Sequence, residues 1–131
     1  MNKPGALSSE EVALFTDLYE LTMAQSYLQQ QMFAPATFSL FVRHSRVRRP
    51  YLVAAGLEDV LHYLEEFSVS SDAIDYLHST GIFVDEFLDY LRNLRFTGRV
   101  RAIPEGRLYF YDEPVLEITA PIIEAQLMET L

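Results

Sequence analysis

The 131-residue sequence contains no cysteine, and only one of its ten cationic residues is a lysine. The absence of cysteine excludes disulfides, thiolate catalysis and cysteine-ligated zinc or iron–sulfur centres from this chain, and it favours an intracellular, cytoplasmic setting. No stretch is apolar over the length of a signal-peptide core or a membrane-spanning helix, so we expect neither.

Positive charge is also scarce, since 19 acidic residues outnumber the basic ones and give a formal net charge of -9. Nucleic acids and anionic membranes would repel such a protein, and we exclude both as general partners. The arginines are nevertheless concentrated locally, because four of the nine lie between residues 43 and 49. That basic stretch is a candidate anion site.

Recognisable catalytic motifs are missing as well. The sequence has no Gly-rich phosphate loop, nucleophile elbow or pair of catalytic carboxylates. Its three histidines lack metal-ligand spacing, and Glu105 and Asp112-Glu113 lie in turns, where acidic residues usually serve geometry and solubility. We therefore assign no catalytic residue and no metal ligand to this chain.

The first half of the sequence, after a flexible leader over residues 1–13, predicts a helix and a strand. Asp17 is the expected N-cap of the helix, and Glu20, three residues later, completes a capping box. Two apolar rows at helical spacing predict a helix packed on two sides: Leu18, Leu21, Ala24 and Leu28, and Tyr19, Met23 and Tyr27. Strict alternation over residues 37–43 predicts a strand on which Phe41 and Arg43 share a face.

The second half predicts a helical section followed by strands. Three amphipathic helices are expected at about residues 57–67, 71–80 and 84–94, with Ser70 or Ser71 capping the second and Gly81 closing it. From residue 99 the apolar period becomes two, which predicts a three-stranded antiparallel meander with arginines facing Glu117. A last helix is expected from Pro121 to Leu131. It has no capping signal at its C-terminal end, which suggests that the sequence is part of a longer protein. The expected fold class is α+β.

Three segments, taken together, resemble the N-terminal region of nicotinate phosphoribosyltransferases. They cover about residues 14–131 in the family's order and approximate spacing. The segments are LFTDLYELTMAQ (14–25); FSLFVR (38–43) followed by AGLE (55–58); and RFTG (95–98) continuing through PEG (104–106) and EP (113–114) to PIIEAQLMET (121–130).

The resemblance implies a type II phosphoribosyltransferase, in which an N-terminal α/β sandwich domain precedes an irregular (β/α) barrel. A barrel of this kind needs about 250 residues, so this chain would be the sandwich domain, 14–131, ending in a helix that leads to the absent barrel. Such enzymes make nicotinate mononucleotide and pyrophosphate from nicotinate and phosphoribosyl pyrophosphate, with ATP hydrolysis and Mg²⁺, as head-to-tail dimers. The family's catalytic histidine lies in the barrel, so we expect this chain alone to be inactive.

The resemblance also implies three substrate-binding residues. Tyr19 matches the tyrosine that stacks on the pyridine ring from the partner subunit, Asp17 matches the neighbouring acid, and Arg43 matches an arginine that reaches phosphate. Without the resemblance these would be an interface aromatic, an N-cap and a strand-end arginine in a surface ion pair. The loop over residues 44–49 is more basic than the family pattern, which leaves open which arginine contacts phosphate.

A second function remains open at this point, namely a free-standing nucleotide-binding or oligomerisation module without catalysis. The two-faced first helix and the last helix would leave apolar surface exposed in a monomer, so self-association to a dimer or larger oligomer is expected under either hypothesis. Nicotinamide and quinolinate also remain open as substrates, although the sequence of residues 16–23 favours nicotinate.

Overall fold

A computed structural model describes residues 14–43 and 50–130 of the chain. The predicted leader at 1–13 and the basic loop residues 44–49 lie outside this part. In order along the chain, the described elements are α1 (Leu18–Gln29), β1 (Pro35–Phe41), β2 (Leu52–Val53), α2 (Leu57–Glu66), α3 (Ser71–Ser79), α4 (Asp85–Asn93), β3 (Arg99–Ala102), β4 (Leu108–Tyr109), β5 (Pro114–Pro121) and α5 (Ile122–Leu127). Helices pack with antiparallel strands and the described strands form no closed barrel, which confirms the α+β class.

The main sheet has the order β1-β5-β3, and both pairings are antiparallel. The predicted meander is wrong, because β4 leaves this sheet and pairs with β2 instead. The cause is a long-range backbone contact: Ala54 donates to the Arg107 carbonyl and accepts from the Gly106 amide, both at 2.8 Å. β5 is the central strand of the main sheet and lies between β1 and β3.

The strand register tests the expected arginine pairs. Arg101 lies opposite Glu117, and their side chains approach to 3.7 Å. Arg99 instead faces Thr119, and Arg107 follows β3 outside the main sheet. One of the three expected pairs is thus present, and because Arg101 is exposed it stabilises the sheet by at most about 1 kcal/mol.

The first strand lies two residues earlier than predicted. β1 begins at Pro35, which a strand at the edge of a sheet tolerates, and its register with β5 shifts between Leu40 and Phe41. The Val42 carbonyl then accepts from the amide of Asp112. Arg43 lies beyond the end of the strand, so the prediction that Phe41 and Arg43 share a strand face is wrong.

The three middle helices form as expected and supply much of the core. The Ser70 hydroxyl accepts from the Ala73 amide at 3.2 Å, and Gly81 closes α3 in the left-handed region with φ of 67°. The largest fully buried apolar side chains lie on α3, α4 and α5: Ile74, Phe87, Leu91 and Ile123. They pack against the β5 face that carries Ile118 and Ala120.

The N-terminus of α2 shows a role for Glu105 that the turn assignment missed. Gly56 is the N-cap and offers no side chain, but the Glu105 carboxylate accepts from the amides of Gly56 and Leu57, both at 3.0 Å.

We expect Glu105→Ala to lower the free energy of unfolding by about 1 kcal/mol in urea denaturation, the usual contribution of a helix cap. Glu58→Ala, in the first turn of α2, is the control. Equal losses in both variants would contradict the capping role.

Candidate functional site

Tyr19 lies in the first turn of α1 with 45% of its surface exposed. The carboxylate of Glu129, in the turn that follows α5, lies near enough to its hydroxyl to raise the pKa of Tyr19. That carboxylate accepts from the Gln126 side-chain amide at 2.6 Å, and Gln126 is buried. The Tyr19 ring itself remains accessible.

The neighbouring Glu20 is fully buried and links α1 to the segment after α5. Its carboxylate accepts from the hydroxyls of Thr16, just before α1, and of Thr130, after α5. We call the pair Glu20 and Thr130 the clamp.

The clamp explains two differences from the sequence-based expectations. Glu20 does not complete a capping box with Asp17: Asp17 is the N-cap, but its side chain makes no capping hydrogen bond. The Glu20 carboxylate accepts from the distant Thr130 hydroxyl instead of from a backbone amide at the start of the helix. α5 also ends at Leu127 instead of continuing to Leu131, and the Glu129 amide donates to the carbonyl of Gln126 in a tighter turn.

Each of the two expected rows of α1 is packed in part. Leu21 and Ala24 are buried in the core and Tyr27 is partly buried against it. Leu18, Tyr19 and Met23 are exposed at 57%, 45% and 38%. The first turns of the helix therefore leave an aromatic ring and two apolar side chains facing away from the core.

Three acidic residues surround the phenol of Tyr19. The nearby carboxylate of Glu129 is the largest cause that raises the pKa of Tyr19 to about 12, followed by desolvation and by the charges of Glu129, Glu20 and Asp17. The phenol is therefore neutral at physiological pH and cannot serve as a base or nucleophile there. Its available chemistry is that of an aromatic face and a hydrogen-bond donor.

Tyrosine titration tests this environment in the folded chain. Burial raises the pKa of Tyr63 to about 12, with a contribution from the Glu20 charge, and raises the pKa of Tyr90. Because the folded state favours the protonated phenols, their contribution to stability is complete below the usual pKa of 10.0 and is lost as pH rises through about 12. We expect absorbance of tyrosinate to show a late-titrating group among the eight tyrosines, smaller in Tyr63→Phe. A single transition near the usual pKa in a folded chain would contradict this.

Arg43 lies two residues after β1 and is exposed. Its side chain makes no ion pair with any residue in 14–43 or 50–130, so the salt bridge expected of an ordinary strand-end arginine is not found there. No ion pair within those ranges joins it to Asp17. Arg46, Arg48 and Arg49 fall in the undescribed loop, and which arginine meets phosphate stays a prediction.

A cleft lies between β1, β5 and the turn after α5. Its volume is about 100 Å³, and it is lined mainly by apolar side chains: Phe38, Ser39, Leu40, Val60, Leu116, Ile118, Met128 and Glu129. The sequence pattern did not indicate this cleft, because its lining residues come from distant parts of the chain.

The described residues include no group of His, Asp or Glu side chains that could hold a metal ion. Among them there is also no helix long and apolar enough to cross a membrane.

Comparison with known proteins gives the family. The model of the nicotinate phosphoribosyltransferase (NAPRTase) N-terminal domain matches residues 14–131. Nicotinate phosphoribosyltransferase pncB2 of Mycobacterium tuberculosis (strain H37Rv) is 51% identical over 118 residues, covering 90% of this chain and 26% of the relative. The Bacillus subtilis (strain 168) nicotinate phosphoribosyltransferase is 38% identical over 122 residues, with 92% and 25% covered.

Solved structures agree with this match. The crystal structure of human nicotinic acid phosphoribosyltransferase aligns with a TM-score of 0.77 and 34% identity over 88% of this chain and 24% of the human chain. The Porphyromonas gingivalis structure, at 20% identity and a TM-score of 0.61, shows the same fold. The chain spans about a quarter of the length of the curated relatives it matches. The chain belongs to the nicotinate phosphoribosyltransferase family and corresponds to its N-terminal domain.

Proposed function

We propose that this chain acts as the N-terminal part of an enzyme that converts nicotinate and phosphoribosyl pyrophosphate into nicotinate mononucleotide and pyrophosphate, a step of NAD biosynthesis coupled to ATP hydrolysis. The observation that carries the proposal is the exposed ring of Tyr19, which lies within a segment that matches the family. An accessible aromatic face suits a flat ligand ring.

The role proposed for each residue follows from its chemistry. A pyridine carboxylate is electron-poor and stacks favourably on the face of a tyrosine, so Tyr19 binds the nicotinate ring. Asp17, two residues earlier, adds negative charge beside the ring. Arg43 binds phosphate of the ribosyl donor or the product, since a guanidinium forms two parallel hydrogen bonds to phosphate oxygens and stays charged.

Among the described residues no cluster of ligands fits Mg²⁺. Mg²⁺ and ATP are implied by the family resemblance, and we place both in other parts of the enzyme. The same resemblance puts the catalytic histidine in the barrel, so in this proposal the 131-residue chain alone is inactive.

A second subunit is part of the proposal. On α1, Leu18 and Met23 are exposed together with Tyr19. Apolar surface of this kind supports a homodimer in which Tyr19 reaches the site of the partner. A cytoplasmic enzyme that binds neither nucleic acid nor membrane fits the acidic composition.

The proposal is tested in a chimera in which residues 14–131 replace the matching segment of the M. tuberculosis relative. Tyr19→Ala should raise the KM for nicotinate up to about tenfold, because aromatic stacking contributes about 0.5–1.5 kcal/mol. Arg43→Ala should raise the KM for phosphoribosyl pyrophosphate at least about tenfold, the loss expected for hydrogen bonds from a charged donor. Each change should leave the KM of the other substrate nearly unaffected.

Matched controls come from other exposed residues of the same types. Tyr76 on α3 is 61% exposed, and Arg92 on α4 pairs with nearby Asp89. Their alanine variants should keep both KM values of the unmodified chimera. Unchanged KM values in both Tyr19→Ala and Arg43→Ala would reject the site assignment.

A further inference from the structure

The start of α1 carries two of the proposed substrate residues, and its own sequence does little to hold it. Asp17 is the N-cap, but its side chain makes no capping hydrogen bond. The next two residues, Leu18 and Tyr19, are exposed and do not anchor the first turn in the core. A helix end without a cap or a buried side chain frays readily. The first turn of α1 therefore depends on contacts with other parts of the chain.

Glu20 is the first buried residue of α1, and its side chain makes such contacts. None of its surface is exposed. Its carboxylate accepts from the hydroxyl of Thr16, before the helix, and from the hydroxyl of Thr130, after α5. Thr16 and Glu20 flank Asp17 and Tyr19 in the sequence. One buried side chain thus connects both ends of this short segment to each other and to the turn after α5.

A carboxylate is a costly group for a contact that serves stability alone. A buried charge loses its hydration, and hydrogen bonds to neutral hydroxyls recover only part of that loss. The ion pairs found among residues 14–43 and 50–130 do not include Glu20. An apolar side chain such as that of Leu21 packs α1 on the core without this penalty. Hydrogen bonds are directional whereas apolar contacts are not, so the carboxylate adds a defined orientation of the first turn.

We propose that Glu20 is a positioning residue for nicotinate binding: it holds the first turn of α1 in one rotation, which presents the Tyr19 ring and Asp17 to the pyridine of the substrate. Turning α1 by one residue would rotate it by about 100°, which would move the ring away and take Glu20 out of reach of Thr130. This inference rests on the proposed function. Because Glu20 is buried, it does not touch the substrate and acts through its neighbours.

Thr130→Val in the chimera tests the clamp without changing α1, because valine keeps the shape of threonine and removes the hydroxyl. The KM for nicotinate should rise about three- to tenfold, and the KM for phosphoribosyl pyrophosphate should change by less than about twofold. Adding Thr130→Val to Tyr19→Ala should raise the KM for nicotinate by no more than about twofold further, because both changes act on the same ring.

Glu20→Gln tests whether the hydrogen bonds matter more than the charge. The amide side chain keeps an oxygen that accepts from one hydroxyl and offers an N–H to the other, since a hydroxyl can also accept. This variant should keep the KM for nicotinate within about threefold of the unmodified chimera. A larger increase than in Thr130→Val would contradict positioning by these two hydrogen bonds.

Ser70→Ala is the matched control for Thr130→Val. It also removes a hydroxyl that the fold uses, the one that accepts from the Ala73 amide at the start of α3, and it should leave both KM values unchanged. An active chimera in which Thr130→Val leaves the KM for nicotinate unchanged, or raises both KM values alike, would reject the positioning role alone. A folded, unmodified chimera without activity would instead reject the proposed function.

Amide hydrogen exchange in the 131-residue chain tests the same contact without any activity. The Glu20 amide donates to the Asp17 carbonyl at 3.0 Å in the first turn of α1. In Thr130→Val this amide should exchange at least about tenfold faster, because the turn opens more often, and the amides of α3 should keep their rates. Ser70→Ala should show the reverse pattern. Unchanged exchange at the start of α1 in Thr130→Val would overturn the inference.

Discussion

Alanine at position 98 should lower the free energy of unfolding by about 3 kcal/mol, at the upper end of the usual cost of overpacking. A Cβ on Gly98 would lie 2.6 Å from the Ala120 Cβ, 2.6 Å from the Phe96 ring and 2.7 Å from the Thr119 carbonyl oxygen. Thr119 and Ala120 belong to the central strand β5, which is paired on both sides and cannot move away. The close approach of two backbones is therefore the reason for a glycine here.

Gly81→Ala is the matched control for this prediction. Gly81 has a left-handed backbone with φ of 67° but open space around its Cβ position, so its substitution costs about 1–2 kcal/mol of backbone strain and adds no clash. Urea denaturation of both variants measures the difference. If Gly98→Ala lost no more stability than Gly81→Ala, the packing of the 95–98 segment against β5 would be contradicted.

The buried carboxylate of Glu124 should give the second large effect. Glu124 is 6% exposed and accepts from the Thr97 amide at 2.7 Å and from the Thr97 hydroxyl at 2.9 Å. Glu124→Ala removes both bonds and leaves a cavity, so we expect a loss of about 2 kcal/mol. The same contact fixes α5, which carries Gln126 and leads to Glu129.

Glu124→Gln retains one side-chain oxygen and should lose less stability than Glu124→Ala. Glu86→Ala, on the exposed side of α4, should change stability by no more than about 0.5 kcal/mol. Thermal denaturation followed by circular dichroism compares the three variants. A Glu124→Ala chain as stable as Glu86→Ala would show that the link from Thr97 to α5 is not needed by the fold.

The parts of the fold that the sequence predicted correctly are those determined by nearby residues. The amphipathic period of α2, α3 and α4 determines which helix faces are buried. Ser70 and Gly81 flank α3 directly and mark its two ends. Helix boundaries in this section agree within one or two residues. Local hydrogen bonds and a single apolar stripe are sufficient there.

The features that the sequence did not predict depend on partners far along the chain. β4 alternates like a meander strand, but it is paired with β2 through Ala54, more than fifty residues earlier. Glu20 fits a capping box by spacing, yet Thr130 takes its carboxylate. Glu105 occupies an ordinary turn, but it caps a helix 48 residues away. In each case a long-range contact replaces the local alternative.

The candidate site likewise contains residues that the sequence indicated and contacts that it did not. Tyr19, Asp17 and Arg43 were named from the family resemblance, and the structure gives Tyr19 an exposed ring beside Asp17. The link from Thr130 to Glu20 was not predicted, because nothing in the pattern around residue 130 indicates a contact with α1. The prediction that Arg43 or a neighbouring arginine binds phosphate stays a prediction.

The central claim is that this chain supplies the N-terminal domain of a nicotinate phosphoribosyltransferase and depends on the rest of the enzyme for catalysis. Formation of nicotinate mononucleotide from nicotinate, phosphoribosyl pyrophosphate, ATP and Mg²⁺ tests it most directly, measured with the 131-residue chain and with the chimera side by side. We predict no product above background from the chain and clear turnover by the chimera. Turnover by the chain alone, or a folded chimera without activity, would contradict the account.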